Sequence, residues 1–445
     1  MPGMDGTLTA GDLEVFRKDF TASPAYRLAQ NAVTRVAVDD VAINREIINS
    51  TGHFLSTALD DWKVTNQERS GRCWLFAGLN LLRVGAMRKM GLKDFEFSQN
   101  YAMFWDKVER ANYFLEAIIE TADRDIDDRT VAFLLEAVAE DGGQWNMFVA
   151  IVNKHGLVPK SFMPETNSSS STARMNSVLR NLLRQGAKSV RAASARGVDA
   201  ARAEKADILR VIYRVLCIHL GTPPDSFDWQ WTDKDRVFHR DGAVTPAEFA
   251  AKYVELPIDD YVCLVHDPRG SSPTGRTFTV EYLGNVLGAP PVTYLNVDMP
   301  VIKDIASRTL RRGEPVWFGC DVGKMMSNEY AIWDAGLYDL PSVYDTAFTL
   351  DKADRLVYHE TQMTHAMLFT GVDVLDGVAR RWRVENSWGA EKGKDGFYTM
   401  NDSWFDEYVF EIAARRSELP EPLRQALDTE PIVLPAWDPM GALAR

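Results

Sequence analysis

The sequence predicts an α+β protein with a helical N-terminal half and a β-rich C-terminal half. Up to about residue 160, apolar residues recur at helical spacing, as Leu75, Leu79 and Leu82 do. From about residue 260, short runs rich in β-branched and aromatic residues replace them, such as YVCLVH, PVWFGCDV and RWRVENS. Helices in one half and strands in the other are the arrangement of an α+β fold.

Composition and charge limit the classes of function. The chain has 445 residues, of which 46% are hydrophobic and 25% are charged, as in ordinary globular proteins. Its net charge of −13 repels phosphate groups, so binding of nucleic acid or of an anionic membrane is not expected. The first twenty residues lack both the basic and the apolar region of a secretory signal, and no run of about 18 apolar residues occurs. We therefore expect a cytoplasmic protein.

The pattern divides the chain into four parts. Residues 1–165 form the helical half, and residues 301–430 form the β-rich half. Between them, residues 166–300 read as an insertion that begins after the loop MPETNSSSSTA. It contains two helices with strict apolar spacing, a hairpin in FDWQWTDKDRVFHRDG, and a helix that starts at the Thr245 capping box.

Residues 431–445 form an unusual tail. Nine of its fifteen residues are apolar, whereas disordered tails are polar. Pro435, Pro439 and Gly441 disfavour a helix or a central strand. We therefore expect the tail to dock in an extended form, and fifteen extended residues reach up to ~50 Å.

Three separated motifs carry the chemistry. Cys73 follows Gln67 by six residues and stands where a helix is expected to begin. His365 lies in THAMLF, which alternates as a strand. Asn386 lies in ENSWG, at the end of another strand. The other cysteines, Cys217, Cys263 and Cys320, occur in apolar runs and form neither a disulfide framework nor a zinc pattern, so we expect them to be inert buried thiols.

These residue types suit nucleophilic catalysis. A free thiol with a pKa near ~8.5 is mostly protonated at neutral pH, and both a helix N-terminus and an imidazolium stabilise the thiolate. His365 would supply the cation and later protonate the leaving amine, while Asn386 would hold the ring. Gln67 and the Cys73 backbone N–H would bind the oxyanion, each donor contributing ~3–4 kcal/mol. Trp388 would shield the contact between His365 and Asn386 from water.

These segments resemble the papain-like cysteine peptidases. That resemblance implies a two-part fold with a helical half and a β-barrel-like half, with Cys73, His365, Asn386 and Gln67 as catalytic residues. Gly142 and Gly143 are similar to the glycine pair that lines the substrate backbone. Ser70 stands where secreted members carry a disulfide cysteine, which suits a reducing compartment. Cys73 and His365 are 292 positions apart, against ~130–150 in papain, consistent with the large insertion.

More specifically, the chain resembles the bleomycin hydrolase and bacterial aminopeptidase C group from end to end. The supporting segments are FSQNYAMFWDKVERANYFLE, EPVWFGCDVGK, MTHAM, WRVENSWG and LPAWDPMGALA. The resemblance implies that the tail lies in the active-site cleft, and that Trp388 and Ala444 face the substrate. It implies that Arg445 is removed by autoprocessing, so that the Ala444 carboxylate meets the substrate's free α-amino group.

The same resemblance implies a cytosolic cysteine aminopeptidase that acts on peptides and on amides of the bleomycin type. It also implies a homohexamer, and no metal or organic cofactor. Two alternatives stay open, namely an inactive peptide-binding scaffold and another Cys/His acyltransferase. The order Cys, His, Asn disfavours the acyltransferase, and the intact set of Gln67, Cys73, His365 and Asn386 disfavours the scaffold.

Overall fold

The structure, a computed structural model, describes residues 6–59 and 62–444. The α-helices of these residues are, in chain order, α1 (Ala10–Ala22), α2 (Pro24–Val33), α3 (Val38–Ala42), α4 (Arg45–Ser50), α5 (Cys73–Met90), α6 (Gln99–Glu120), α7 (Arg129–Glu136), α8 (Trp145–His155), α9 (Asn167–Ser170), α10 (Ala173–Ser194), α11 (Val198–Leu220), α12 (Pro246–Tyr253), α13 (Met299–Arg311), α14 (Leu340–Tyr344), α15 (Lys352–Val357), α16 (Asp402–Tyr408) and α17 (Glu421–Ala426). Short 3-10 helices cover Lys160–Phe162, Ile258–Asp260, Arg416–Glu418 and Pro439–Ala444.

Most strands belong to one large sheet. The strands are β1 (Thr57–Ala58), β2 (Phe227–Thr232), β3 (Phe238–Val244), β4 (Tyr261–Val265), β5 (Thr277–Val280), β6 (Tyr294–Asn296), β7 (Val316–Cys320), β8 (Met326–Ser327), β9 (Ile332–Trp333), β10 (His365–Leu375), β11 (Val378–Glu385), β12 (Phe397–Asn401), β13 (Val409–Arg415) and β14 (Ile432–Leu434). The twelve-stranded sheet has the order β14-β5-β6-β4-β13-β7-β10-β11-β12-β9-β8, and β1 pairs with β10. The remaining two strands, β2 and β3, form a separate antiparallel hairpin.

The sheet separates two apolar clusters, and the period-2 pattern of its strands explains why. Along β10, Ala366 and Leu368 pack into the cluster shared with α5, whereas Met367 and Phe369 pack into the cluster shared with α13. Successive side chains of a strand point to opposite faces, so a strand buried on both faces reads as a continuous apolar run. This arrangement places His365, the first residue of β10, at the end of a strand that is buried on both faces.

Helix α5 is buried on nearly every side, and this fixes the position of Cys73 at its start. Trp74, Leu75 and Leu81 are each at most 1% exposed. The helix packs so tightly against α8 that a Cβ on Gly78 would lie 2.8 Å from the Phe148 ring. It ends at Gly91, whose φ of 65° is the left-handed conformation that closes many helices.

The predicted insertion contributes both helices and strands. Helices α10 and α11 pack against each other and against α6, and the β2–β3 hairpin is present as predicted. The segment MPETNSSSSTA is not wholly a loop, because the Thr166 capping box starts the short helix α9. Strands β4, β5 and β6 of the same segment belong to the large sheet.

Helix α7 ends at Glu136, before Gly142 and Gly143, and the buried Lys107 ammonium binds the carbonyls of Ala139 and Glu140. The tail is only partly extended, because β14 is followed by a 3-10 helix over Pro439–Ala444. Residue 445, for which autoprocessing was predicted, lies outside the described residues.

No helix within residues 6–59 and 62–444 combines the length and the apolar character that crossing a membrane requires.

Candidate active site

Cys73 is the first residue of α5, and a buried guanidinium fixes the segment before it. Arg72 is 1% exposed and donates to both carboxylate oxygens of Glu165, at 3.0 and 2.8 Å. Its Nε also donates to Ser70 Oγ at 2.9 Å. No side chain caps the N-terminus of α5. The backbone N–H groups of its first turn therefore remain available beside the thiol, as an oxyanion site requires.

His365 and Asn386 meet through their side chains. Nε2 of His365 donates to Oδ1 of Asn386 at 2.8 Å, and both residues are buried. The backbone N–H of Ser387 donates to the same Oδ1 at 2.8 Å, which holds the carboxamide in place. Because Nε2 is engaged, Nδ1 is the ring nitrogen left for the thiol.

The thiol lies beside the start of β10. The backbone of Ala366, the residue directly after His365, lies close enough to the Cys73 sulfur to lower the pKa of the thiol. The sulfur, the imidazole and the carboxamide therefore come from α5, β10 and the end of β11 to one place. Cys73 lies 292 positions before His365, whereas Asn386 follows His365 by only 21.

Gln67 is buried and held in place by Ser387. Its Oε1 accepts from Ser387 Oγ at 2.6 Å, and its backbone N–H donates to Ser387 O at 2.8 Å. Its Nε2 donates one N–H to Ser70 O at 2.6 Å, which leaves the second N–H of the amide for an oxyanion. Sequence reasoning did not single out Ser387, although its position directly after Asn386 was a signal.

Trp388 lies next to the imidazole. Its ring centroid is 5.0 Å from that of His365, with the rings tilted by 34°. The indole is half-buried, so it covers one side of the contact between His365 and Asn386. Its backbone pairs with Asn66, which ties the loop after β11 to the segment that leads into Gln67.

Gly143 lies against Trp74, the residue that follows Cys73. A Cβ on Gly143 would come within 2.4 Å of the Trp74 indole, so the loop tolerates no larger residue there. Nε1 of Trp74 donates to Asp141 O at 2.7 Å. The carbonyl of Gly142 accepts from Arg110 Nη2.

The tail approaches β7, the strand that pairs with β10. After β14, the hydroxyl of Tyr294 donates to Met440 O at 3.1 Å, and Arg110 Nη1 donates to Ala444 O at 3.2 Å. Leu443 lies 3.5 Å from where a Cβ on Gly319 would stand, and Gly319 is paired with Ala366. Leu443 and Ala444 belong to the same buried apolar cluster as Cys73.

Within the described ranges, no group of three or more His, Cys, Asp or Glu side chains is arranged to hold a metal ion. The candidate site contains a thiol, an imidazole, two carboxamides and backbone donors.

Comparison with known proteins agrees with this geometry. The Peptidase C1-like family matches residues 7–441 of the chain. The chain belongs to this family. The predictions of a papain-like α+β fold and of a cysteine-type aminopeptidase of the bleomycin hydrolase group are confirmed.

The relatives of this C1-like peptidase cover its whole length. Aminopeptidase C of Listeria monocytogenes is 41% identical over 99% of this chain and 100% of that protein. Human bleomycin hydrolase is 41% identical over 95% of this chain and 96% of that protein. The crystal structure of PepW from Lactobacillus rhamnosis superimposes with a TM-score of 0.96 at 42% identity, covering 98% of this chain and 99% of that one.

Burial dominates the electrostatics of the peptidase's site. It raises the pKa of the Cys73 thiol to about 11, although hydrogen bonds from the backbone of Ala366 and Trp74 act in the opposite direction. It lowers the pKa of His365 to about 4, against the effect of the hydrogen bond to Asn386. The thiol pKa is therefore raised, not lowered as the helix N-terminus alone predicts, because desolvation of the anion outweighs the backbone dipoles.

A buried carboxylate holds the end of β11 onto α5. Glu385, directly before Asn386, accepts hydrogen bonds from Trp62 Nε1 at 2.6 Å, Asn80 Nδ2 at 3.0 Å and Arg83 Nη2 at 2.9 Å. Arg83 and Asn80 belong to α5, the helix that Cys73 begins. This contact joins the nucleophile's helix to the asparagine's strand, and neither composition nor spacing predicted it.

A second, largely buried carboxylate holds the loop that contains Gly142 and Gly143, here called the glycine loop. Asp141, directly before Gly142, forms an ion pair with Lys107 Nζ at 2.7 Å. It also accepts from Thr172 Oγ1 at 2.5 Å, Asn176 Nδ2 at 2.8 Å and the backbone N–H of Gly71 at 3.2 Å. Thr172 and Asn176 lie at the start of α10, so the inserted helices help to support the active site.

Proposed function

We propose that this peptidase removes N-terminal residues from peptides through a Cys73 acyl-enzyme. Because burial raises the pKa of the thiol and lowers that of the imidazole, Cys73 transfers its proton to Nδ1 of His365 as the sulfur attacks the first peptide carbonyl. The resulting oxyanion is bound by the Cys73 backbone N–H and by the second N–H of the Gln67 amide. The contact of 2.8 Å between His365 and Asn386, with the backbone of Ala366 beside the Cys73 thiol, is the observation that carries this proposal.

The second half of the reaction uses the same groups. The imidazolium of His365 protonates the leaving amine as the tetrahedral intermediate collapses, which leaves a thioester on Cys73. His365 then accepts a proton from a water molecule whose oxygen attacks the thioester. The C–S bond breaks to release the amino acid, and the imidazolium returns the proton to the Cys73 sulfur. Asn386 keeps the ring oriented throughout, because Oδ1 accepts from Nε2 in both protonation states of the imidazole.

Replacement of the nucleophile tests the mechanism. We expect Cys73→Ala to lower kcat/KM for an amino-acid 4-nitroanilide by at least about 10⁴-fold, because no other group can form the acyl-enzyme. Cys217→Ala is the matched control, since this partly exposed thiol lies on α11. Full turnover by Cys73→Ala would sink the mechanism.

The tail supports a preference for free amino termini. Its last described residues are buried in the apolar cluster that also contains Cys73, and Leu443 lies near Gly319 of β7, the strand that pairs with β10. We propose that they occupy space that a longer acyl chain would need. We propose that autoprocessing removes Arg445 and that the Ala444 carboxylate then binds the substrate's α-ammonium, with Gly142, Gly143 and Trp388 against the substrate. Deletion of residues 441–445 should admit N-acetylated substrates, and mass spectrometry of the purified chain should show the loss of Arg445.

Amides of the bleomycin type are a second proposed substrate class. Relatives from chicken and human are named bleomycin hydrolase and are 40% and 41% identical to this chain. Release of ammonia from such an amide, compared between the wild type and Cys73→Ala, tests this class.

We also propose a homohexamer in the cytosol, with the chain divided at residues 165, 300 and 430 as the sequence predicted. Exposed apolar side chains on α1, namely Leu13, Phe16 and Phe20, support an interface between copies. Four free thiols suit a reducing compartment. Sedimentation analysis of the wild type and of a Phe16→Glu variant tests the assembly.

A further inference from the structure

Arg110 of α6 connects the tail to the catalytic region. Its Nη1 donates to Ala444 O at 3.2 Å, and its Nη2 donates to Gly142 O. Its guanidinium also lies over the Trp74 ring, 5.8 Å from the centroid. One side chain therefore contacts the end of the tail (called the arm below), the loop of Gly142 and Gly143, and Trp74.

The Nε edge of the Arg110 guanidinium is held by a carboxylate of the same helix. Nε donates to Asp106 Oδ2 at 3.1 Å, and the side chains of Arg110 and Asp106 are 13% and 2% exposed. The other oxygen of Asp106 accepts from Asn285 Nδ2 at 2.9 Å. Asp106 is thus held on both oxygens, so the guanidinium has a defined orientation toward the arm.

The charges of this region pair internally. Arg110 is matched by Asp106, and the neighbouring Lys107 is matched by Asp141 at 2.7 Å. A carboxylate added at Ala444 would therefore contribute an uncompensated negative charge, even while it contacts the guanidinium. This negative charge would attract an incoming ammonium, whereas an arginine without a carboxylate partner of its own would neutralise it.

We infer that Arg110 is the positioning residue for the arm's terminal carboxylate, and that Asp106 preserves the carboxylate's attraction for the substrate's α-ammonium. The inference rests on the proposed function, in which the chain ends at Ala444. The oxygen that Arg110 contacts then belongs to a carboxylate, and the guanidinium binds one oxygen while the other faces the substrate. Arg110 thereby sets the distance between the ammonium and the scissile carbonyl.

Kinetics with a double-mutant cycle test this role. We expect Arg110→Gln to raise KM for leucine 4-nitroanilide about tenfold, with kcat for N-acetyl-leucine 4-nitroanilide unchanged or increased. In a chain that ends at Leu443, the same substitution should change KM less than twofold, since the contact partner is absent. An equal effect in both chains would show that Arg110 acts through Gly142, and would overturn the inference.

Hydrogen exchange gives a readout that does not depend on turnover. We expect the amides of residues 436–444 to exchange about tenfold faster in Arg110→Gln, and threefold faster in Arg110→Lys, which keeps the charge but loses the fork. Arg308→Gln, an exposed arginine paired with Asp304 on α13, should match the wild type. Unchanged exchange in both Arg110 variants would overturn the inference.

The outcomes separate the inference from the function on which it rests. Turnover that survives in Cys73→Ala refutes the acyl-enzyme. Slow exchange of the tail amides in the wild type and fast exchange in Arg110→Gln would still support the contact between Arg110 and the tail. Conversely, if activity requires Cys73 but the KM and the exchange rates of the tail amides are unchanged in the Arg110 variants, the proposed function is supported and the inference is overturned. If Arg110→Gln does not fold, Arg110→Lys decides through the same two measurements.

Discussion

Glu385 is a buried carboxylate and Asp141 is a largely buried one. Each lies directly before a segment of the candidate site, yet their pKa values move in opposite directions. Asp141 precedes the glycine loop, and Lys107, Thr172 and Asn176 lower its pKa well below the ordinary range despite burial. Glu385 precedes Asn386, and burial raises its pKa even though Arg83 and Trp62 act in the opposite direction.

The two segments are held in energetically different ways. At Asp141, an ammonium and neutral donors more than offset the cost of desolvation, so the ionised form stabilises the loop. At Glu385, complete burial exceeds the gain from its partners, so the site bears a cost for orienting the end of β11. The two carboxylates therefore support the same active site with opposite energetic signs.

The largest expected effect is that of Asp141→Asn. It leaves the Lys107 ammonium, 2% exposed on its side chain, without its anion, and removal of one partner of a buried ion pair costs about 3–5 kcal/mol. Urea unfolding measures the change in the free energy of unfolding. Asp304→Asn, whose side chain is 66% exposed, is the control. A loss below about 1 kcal/mol would contradict the assignment of Asp141 as a stabilising anion.

A smaller effect is expected for Glu385→Gln. The substitution removes a charge that burial disfavours, but it also leaves the buried Arg83 guanidinium without its anion. We therefore expect the free energy of unfolding to fall by about 1–2 kcal/mol, less than for Asp141→Asn. The kcat for leucine 4-nitroanilide should also fall, because Asn386 is no longer held. If Glu385→Gln destabilised the protein as much as Asp141→Asn, the comparison would fail.

The pH dependence should differ in sign. The folded pKa of Asp141 is depressed, so its contribution is present above its ordinary pKa of 3.8 and is lost as the pH falls below that value. The folded pKa of Glu385 is raised, so its contribution is present below 4.5 and is lost as the pH rises through the folded value.

Urea unfolding of the wild type and each variant between pH 3.5 and pH 7 measures this, with slopes of at most about 1.4 kcal/mol per pH unit. The difference between the wild type and Glu385→Gln should shrink toward high pH. The difference between the wild type and Asp141→Asn should shrink toward low pH. Parallel curves would show that neither carboxylate titrates differently in the folded state.

The smallest expected effect concerns the inserted helix. Thr172→Val removes one hydrogen bond to Asp141 and should lower the free energy of unfolding by about 1 kcal/mol. Thr172→Ser keeps the hydroxyl and should behave like the wild type. Equal losses in both variants would show that the threonine methyl group, not the hydroxyl, supports the glycine loop.

The sequence contained the reactive groups but not their supports. Cys73, His365 and Asn386 stand at the ends of elements whose local periodicity is strong, so motif and spacing together located them. Glu385 and Arg83 are 302 positions apart, and Asp141 and Lys107 are 34 apart, with no repeating pattern that links them. Contacts of this kind arise only from tertiary packing.

Burial was the other quantity that the sequence could not supply. A cysteine at a helix N-terminus predicts a lowered thiol pKa, yet enclosure by the sheet and the surrounding helices raises it. The tail shows the same limit. Its prolines correctly excluded a regular α-helix, but the 3-10 turn over Pro439–Ala444 is stabilised by contacts with Tyr294 and Arg110.

The strand at the start of the tail has a practical consequence. Ile432–Leu434 pairs in parallel with Thr277–Val280 and forms the outermost strand on that side of the sheet. A truncation that removes this strand would uncover a row of backbone donors and acceptors that other molecules can join, which invites aggregation. Shortened enzymes made for biotechnology should therefore retain residues through 435, so that any change in selectivity is not confused with precipitation.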